Sequence, residues 1–218
     1  NETWNRMFLV QEASLSVQNN VIESISCTKI SQSGCVFYIS RSNITARNNR
    51  FLKISSIADG SIYFSQNSII QFNGEIFDSS YSNLSDAYTF SIFKSSIFVN
   101  NCAFHNFYPG GLYSVKASIL SVSSCVFHQT IVRDFAQNPT VYSEDSFYLL
   151  VESSSFRNSY SYNGSALKLQ CLLTNNTLMQ NFISFSTFSY NIADSNGGAI
   201  YIQNCPLQIN SSNFSTSS

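Results

Sequence analysis

The stretch Phe185–Phe214, FSTFSYNIADSNGGAIYIQNCPLQINSSNF, decides the fold. Two glycines, Gly197 and Gly198, open a short apolar alternation, Ile200 and Ile202; five residues later a second begins, Leu207 and Ile209. A polar step from Asn210 to Asn213 leads to one large aromatic, Phe214. Residues two apart point to one face of a strand, so each alternation reads as a short strand with one buried face.

The same unit recurs along the chain. With the large apolar residue as anchor, the series is Ile22, Phe51, Phe77, Phe104, Phe127, Phe156, Phe188 and Phe214, at spacings of 29, 26, 27, 23, 29, 32 and 26 residues. Seven and five residues before each anchor stand pairs such as Leu15/Val17, Ile44/Ala46, Ile70/Phe72, Ile97/Val99, Leu120/Val122, Leu149/Val151 and Leu207/Ile209; only Asn181, beside Ile183, departs. An earlier pair precedes each: Phe8/Val10, Phe37/Ile39, Ile62/Phe64, Phe90/Ile92, Tyr113/Val115, Leu167/Leu169 and Ile200/Ile202. The sixth turn fits poorly, with Tyr142 read as inward and Glu144 where an apolar residue is expected, which suggests a local bulge. Asn- and Ser-rich steps before the anchors supply residues that tolerate the left-handed conformation of a sharp corner. Self-similarity of this period, with a variable loop per turn, marks a solenoid.

The expectation is therefore all-β: a single domain over residues 1–218, a right-handed parallel β-helix of about eight coils, stacked into a rod about 38 Å long. Helical periodicity is missing over any long window. A two-sheet sandwich also suits short strands with regular turns; the repeated order of pair, pair and anchor favours the solenoid. Long segments at Asp78–Tyr88, His128–Pro139 and Leu172–Gln180 read as loops or insertions.

Composition sets the surroundings. Charged residues are 11 % and the net charge is −1, which removes the electrostatic case for nucleic acid or an anionic membrane. At 44 % hydrophobic the chain can fold, yet no run approaches the ~18–20 apolar residues of a membrane span. The start, NETWNRMFLV, is not a signal peptide and lies inside a repeat, as in a mature segment of a longer polypeptide.

At Phe188–Ile202, FSYNIADSNGGAIYI, the residues resemble the FxxN and GGAI repeats of the polymorphic outer membrane proteins, and are similar to repeats in large surface glycoproteins of protists, all right-handed parallel β-helices of the pectin-lyase-like class. Phe188 to Asn191 stands for the FxxN and Gly197-Gly198-Ala199-Ile200 for the GGAI; looser forms occur at Gly34–Phe37, Gly110–Tyr113 and Gly164–Leu167. The resemblance implies an extracellular scaffold or adhesin and brings no catalytic residues. The pectinolytic branch uses clustered Asp, Arg, Lys or calcium-binding carboxylates, whereas the Asp residues here are scattered and out of register.

Six cysteines lack zinc-site spacing and fit an oxidising compartment. Cys27 and Cys35 bracket one loop, Cys102 and Cys125 hold the same place in neighbouring turns, and Cys171 and Cys205 each follow a first strand, so three bridges are expected in those pairs. Stacked free thiols are the alternative. The two histidines, His105 and His128, each follow an anchor and should stack on the outside, without a third ligand in register for a metal. Sequons at Asn1, Asn43, Asn83, Asn163, Asn175, Asn210 and Asn213 are candidates for N-glycans. Tyr81, Tyr108, Tyr160 and Tyr162 form a candidate sugar- or partner-binding strip.

The function expected is that of a non-catalytic, structural glycoprotein, secreted or at the cell surface, which associates with itself or with neighbouring segments of the same filament. No cofactor, metal or catalytic residue is expected. An adhesin or carbohydrate-binding module, and a polysaccharide-degrading enzyme of the β-helix class, are the alternatives.

Overall fold

The computed structural model describes residues 7–27, 34–56, 62–79, 81–82, 88–107, 110–116, 119–128, 138–171 and 179–215. It is a parallel β-solenoid. The first sheet runs from Phe8–Gln11 to Ile200–Gln203, the second from Ser14–Gln18 to Gln208–Asn210 and the third from Val21–Glu23 to Asn213–Ser215, each of eight strands. Among the described residues the end layers are open on one side, leaving about six turns flanked above and below, fewer than the eight coils expected. Two short extra sheets flank the stack: Ser26–Cys27, Ser55–Ser56 and Tyr81–Ser82 form one, Tyr160–Asn163 and Ile192–Asn196 the other.

Each coil turns at sharp corners built on single left-handed residues. Asn48, Asn101 and Ser124 take positive φ between the second and third sheets, as the Asn/Ser steps imply. Two further corners use the same device: Arg41, Asn67, Lys94 and Lys116 between the first and second sheets, and Lys53, Asn106 and Asn158 after the third.

The anchor residues form one interior file. Ring centroids lie 5.0 Å apart for Phe51–Phe77, then 4.8, 4.5, 4.7, 4.9 and 4.9 Å on through Phe104, Phe127, Phe156, Phe188 and Phe214, all stacked. A shorter file, Phe8–Phe37–Tyr63–Phe90, descends from the first sheet and meets the anchors edge to face, as in Phe77–Phe90 at 4.8 Å. Burial of each such ring stabilises the stack by roughly 1.5–3 kcal/mol.

Beside the aromatic file runs a polar one, two residues before each anchor. The backbone N–H of each member donates to the side chain of its counterpart in the next coil. Asn20 donates to Asn49 Oδ1 (2.9 Å), Asn49 to Glu75 Oε1 (3.2 Å), Cys102 to Cys125 Sγ (3.5 Å), Cys125 to Ser154 Oγ (3.1 Å), Ser154 to Ser186 Oγ (3.2 Å) and Ser186 to Ser212 Oγ (3.2 Å). Donors that would be orphaned at a buried corner are thereby satisfied.

That ladder corrects one expected bridge. Cys27–Cys35 and Cys171–Cys205 are disulfides, but Cys102 and Cys125 are free and buried. Their thiols occupy ladder positions that serine fills elsewhere: Cys102 Sγ lies 3.2 Å from Asn100 O and Cys125 Sγ 3.1 Å from Ser123 O, as Ser154 Oγ donates to Glu152 O at 2.8 Å. Equivalent side chains on neighbouring coils keep the strand spacing of about 4.8 Å, whereas a disulfide draws its Cβ atoms to about 3.8 Å.

The first strand corrects three more expectations. Phe37 pairs with Tyr63 and Ile39 with Ser65, so Tyr63 and Ser65 face inward and Phe64 turns outward, while Ile62, one place before Tyr63, is itself buried in the core. Phe90 pairs with Leu112 and Ile92 with Ser114, which turns Tyr113 and Val115 outward. In the sixth turn Val141 and Ser143 are inside and the register is unbroken, so Tyr142 and Glu144 face out without a bulge. The interior serines pair: Ser65 with Ser95 and Ser114 with Ser146, at 3.0 Å each. Asn181 is also buried, its amide donating to Pro206 O at 2.8 Å.

Candidate functional site

The outward face of the first sheet gathers the aromatic side chains that its parity excludes from the core. Tyr38 stacks on Phe64 at 5.2 Å, Phe64 meets Phe93 at 5.4 Å tilted by 37°, Phe93 meets Tyr113 edge-on at 6.0 Å, and Tyr113 stacks on Tyr142 at 5.0 Å. Hydropathy alone cannot separate these rings from the core file, which is why the sequence pattern assigned Phe64, Tyr113 and Tyr142 to the interior. Where rings lie nearly parallel, each covers its neighbour's face, so edges and hydroxyls are what solvent meets.

Charge gathers at both ends of this strip. Toward the later coils, the Tyr113 hydroxyl donates to Glu144 Oε2 at 3.2 Å; the Tyr142 hydroxyl lies 3.0 Å from the same oxygen and 2.6 Å from Gln170 Oε1. Burial, then the charge of Glu144, pushes the Tyr142 phenol above its ordinary range. Lys168 Nζ sits 4.5 Å from the Tyr142 ring centroid, and partial burial lowers its pKa despite Glu144 nearby. Toward the earlier coils, Phe64, Phe93, Val115 and Gln66 line a depression of about 370 Å³ rimmed by Lys94 and Lys116.

The other candidates fall as follows. Asn43, Asn210 and Asn213 are exposed, and Asn163 is half-buried, its Oδ1 accepting from Asn196 Nδ2 at 3.4 Å, which leaves its own Nδ2 available. Asn43 opens the strand Asn43–Arg47, and Asn163 ends Tyr160–Asn163. Asn1, Asn83, Asn175 and Tyr108 lie outside the described residues, as does the side chain of Tyr81. Tyr162 is exposed, but Tyr160 is buried, its hydroxyl 2.6 Å from Asp194 Oδ1. His105 and His128 are paired in register on the outer face with ring centroids 6.3 Å apart, and His128 Nε2 lies 2.8 Å from Asn158 Nδ2. Among the described residues no group of three or more His, Cys, Asp or Glu is placed to hold a metal, and no helix is long and apolar enough to cross a membrane.

Inside the stack, sequence reasoning missed Glu75, which occupies the polar ladder and is fully buried. Burial pushes its carboxyl up to about 7, against hydrogen bonds from the Asn49 backbone and side chain that pull it down. Its Oε2 and the Tyr63 hydroxyl are buried without a hydrogen-bond partner.

No protein-family model matches the chain, and neither a curated protein nor a solved structure matches it.

Proposed function

We propose that this chain is a segment of a structural, non-catalytic glycoprotein of an extracellular surface or fibre, built on the right-handed, pectin-lyase-like helix that its FxxN and GGAI repeats resemble. The observation that carries this reading is the pair of interior ladders, aromatic and polar, which pass from coil to coil through the stack. Such nearest-neighbour construction suits a rod whose role is length and stiffness. Two disulfides suit an oxidising compartment, and the exposed side chains of Asn43, Asn210 and Asn213, with the half-buried Asn163, suit N-glycans. The inner residues of the last described coil, Ile202, Ile209 and Phe214, are 42–45 % exposed, while Leu169, Ile183 and Phe188 one coil earlier are buried. A further layer, from a neighbouring segment of the filament or a second copy, would cover them.

The test is to secrete the chain from a eukaryotic host, weigh its sequon peptides before and after enzymatic deglycosylation, and image the native particle. Glycan-bearing peptides and rods or layers are expected. Unmodified sequons together with isolated monomers would overturn the reading.

A further inference from the structure

The corner between the first and second sheets carries a stacked column of charged residues. Glu12 and Arg41, one coil apart, pair at 2.7 Å, and at the corner after the third sheet Glu23 and Lys53 pair at 3.3 Å across neighbouring coils. Lys94 and Lys116 break this pattern. Both take positive φ, and Lys94 N–H donates to Val115 O at 3.0 Å, so they hold equivalent places in adjacent coils, about 4.8 Å apart along the axis. Both are exposed, and among the described residues neither forms an ion pair with a carboxylate. Stacked like charges are destabilising, and the cost is relieved by an anion between them.

What lies beside the two ammonium groups narrows the anion. The depression of about 370 Å³ has a floor of Phe64, Phe93 and Val115, with the Gln66 amide at its edge. The 37° tilt between Phe64 and Phe93 leaves ring surface uncovered, unlike the near-parallel Tyr38–Phe64 and Tyr113–Tyr142 stacks. An apolar floor, one amide and two adjacent cations fit a ring with a C–H face, hydroxyls and a strongly acidic ester. We infer that this groove binds a sulfated sugar unit of an extracellular polysaccharide, the sulfate seated between Lys94 and Lys116 and the sugar face on Phe64 and Phe93. The site stands apart from the structural role and does not depend on it.

The test is calorimetry of the whole chain with a sulfated hexasaccharide, its desulfated counterpart, inorganic sulfate and a polyglutamate peptide. Asn67 and Asn204 already stand at this corner with positive φ, so Lys94→Asn and Lys116→Asn preserve the backbone. The hexasaccharide should bind, with desulfation or the double substitution weakening it about tenfold or more, while Lys53→Asn leaves binding unchanged. Phe93→Leu, which removes a ring but keeps an apolar side chain, should weaken it about threefold. Without ligand, the double variant should melt no lower than the parent chain. Absence of hexasaccharide binding, an equal loss in Lys53→Asn, or binding of polyglutamate or inorganic sulfate as tight as that of the hexasaccharide would each overturn the inference.

Discussion

The side-chain amide of Asn49 and its own backbone N–H both donate to Oε1 of Glu75, each at 3.2 Å. This contact places an ionisable group where serine or asparagine stands in most other coils. The Glu75 pKa is raised from 4.5 to about 7, so the neutral acid is the form the fold prefers. The stability it confers is complete below about pH 4.5 and is lost as pH rises through about 7. The thermal midpoint should fall between pH 5 and pH 8 as the unfolding free energy drops by up to roughly 3 kcal/mol. Glu75→Gln should remove most of that dependence; a variant with the parent's pH profile would show that another group carries it.

Cys125 is a ladder acceptor, so its replacement divides by chemistry. Cys125→Ser keeps an oxygen for the Cys102 N–H and should change stability by about 1 kcal/mol or less. Cys125→Ala strands that buried donor and should cost about 1–3 kcal/mol in chemical denaturation. In a non-reduced digest, Cys102 and Cys125 should alkylate only after unfolding, while the Cys27–Cys35 and Cys171–Cys205 peptides stay linked.

Gly34, Gly164 and Gly197 share one place, three residues before an inward residue of the first sheet, and all take positive φ. A Cβ on Gly164 would lie 2.6 Å from Leu167 O and from Tyr201 Cβ. Gly164→Ala should therefore cost about 2 kcal/mol or more, from backbone strain and from the clash. Gly74 sits at the corner that Asn48 and Asn101 also occupy, and Gly74→Asn should cost about 1 kcal/mol or less. Denaturant midpoints of the two variants give the comparison.

The aromatic file should show its ends. Phe127 is fully buried between Phe104 and Phe156, so Phe127→Ala should cost about 3–5 kcal/mol. Phe214 is stacked on one side only and half open, and Phe214→Ala should cost about 1 kcal/mol. Equal losses at both positions would mean that the last coil is covered in solution.

The second and third strands were legible because their apolar residues alternate cleanly and the anchor recurs. The first strand was not, because Ile62-Tyr63-Phe64 and Leu112-Tyr113 are apolar on both faces, and the true inward partners include small serines. A five-residue gap counted back from Ile70 does reach Ser65, but the corners of the next turns but one are a residue longer, so the count fails at Ser114 and Ser143. The outward strip and the Lys94–Lys116 groove follow from that parity and so lay beyond the pattern. Glu75 was invisible for another reason: only its place between Asn49 and Cys102 in the ladder shows that it is inside.

The polar ladder has a direction. Each corner N–H finds its acceptor on the coil that follows it in the chain, as Asn20 does on Asn49 and Ser154 on Ser186. A polypeptide emerging from its N-terminus thus leaves every newly made coil with an open donor that the next layer closes. Along this ladder assembly resembles a zip drawn one way, in which each tooth is locked by its successor, and a halt in synthesis leaves the ladder donor of the last coil open at the growing end.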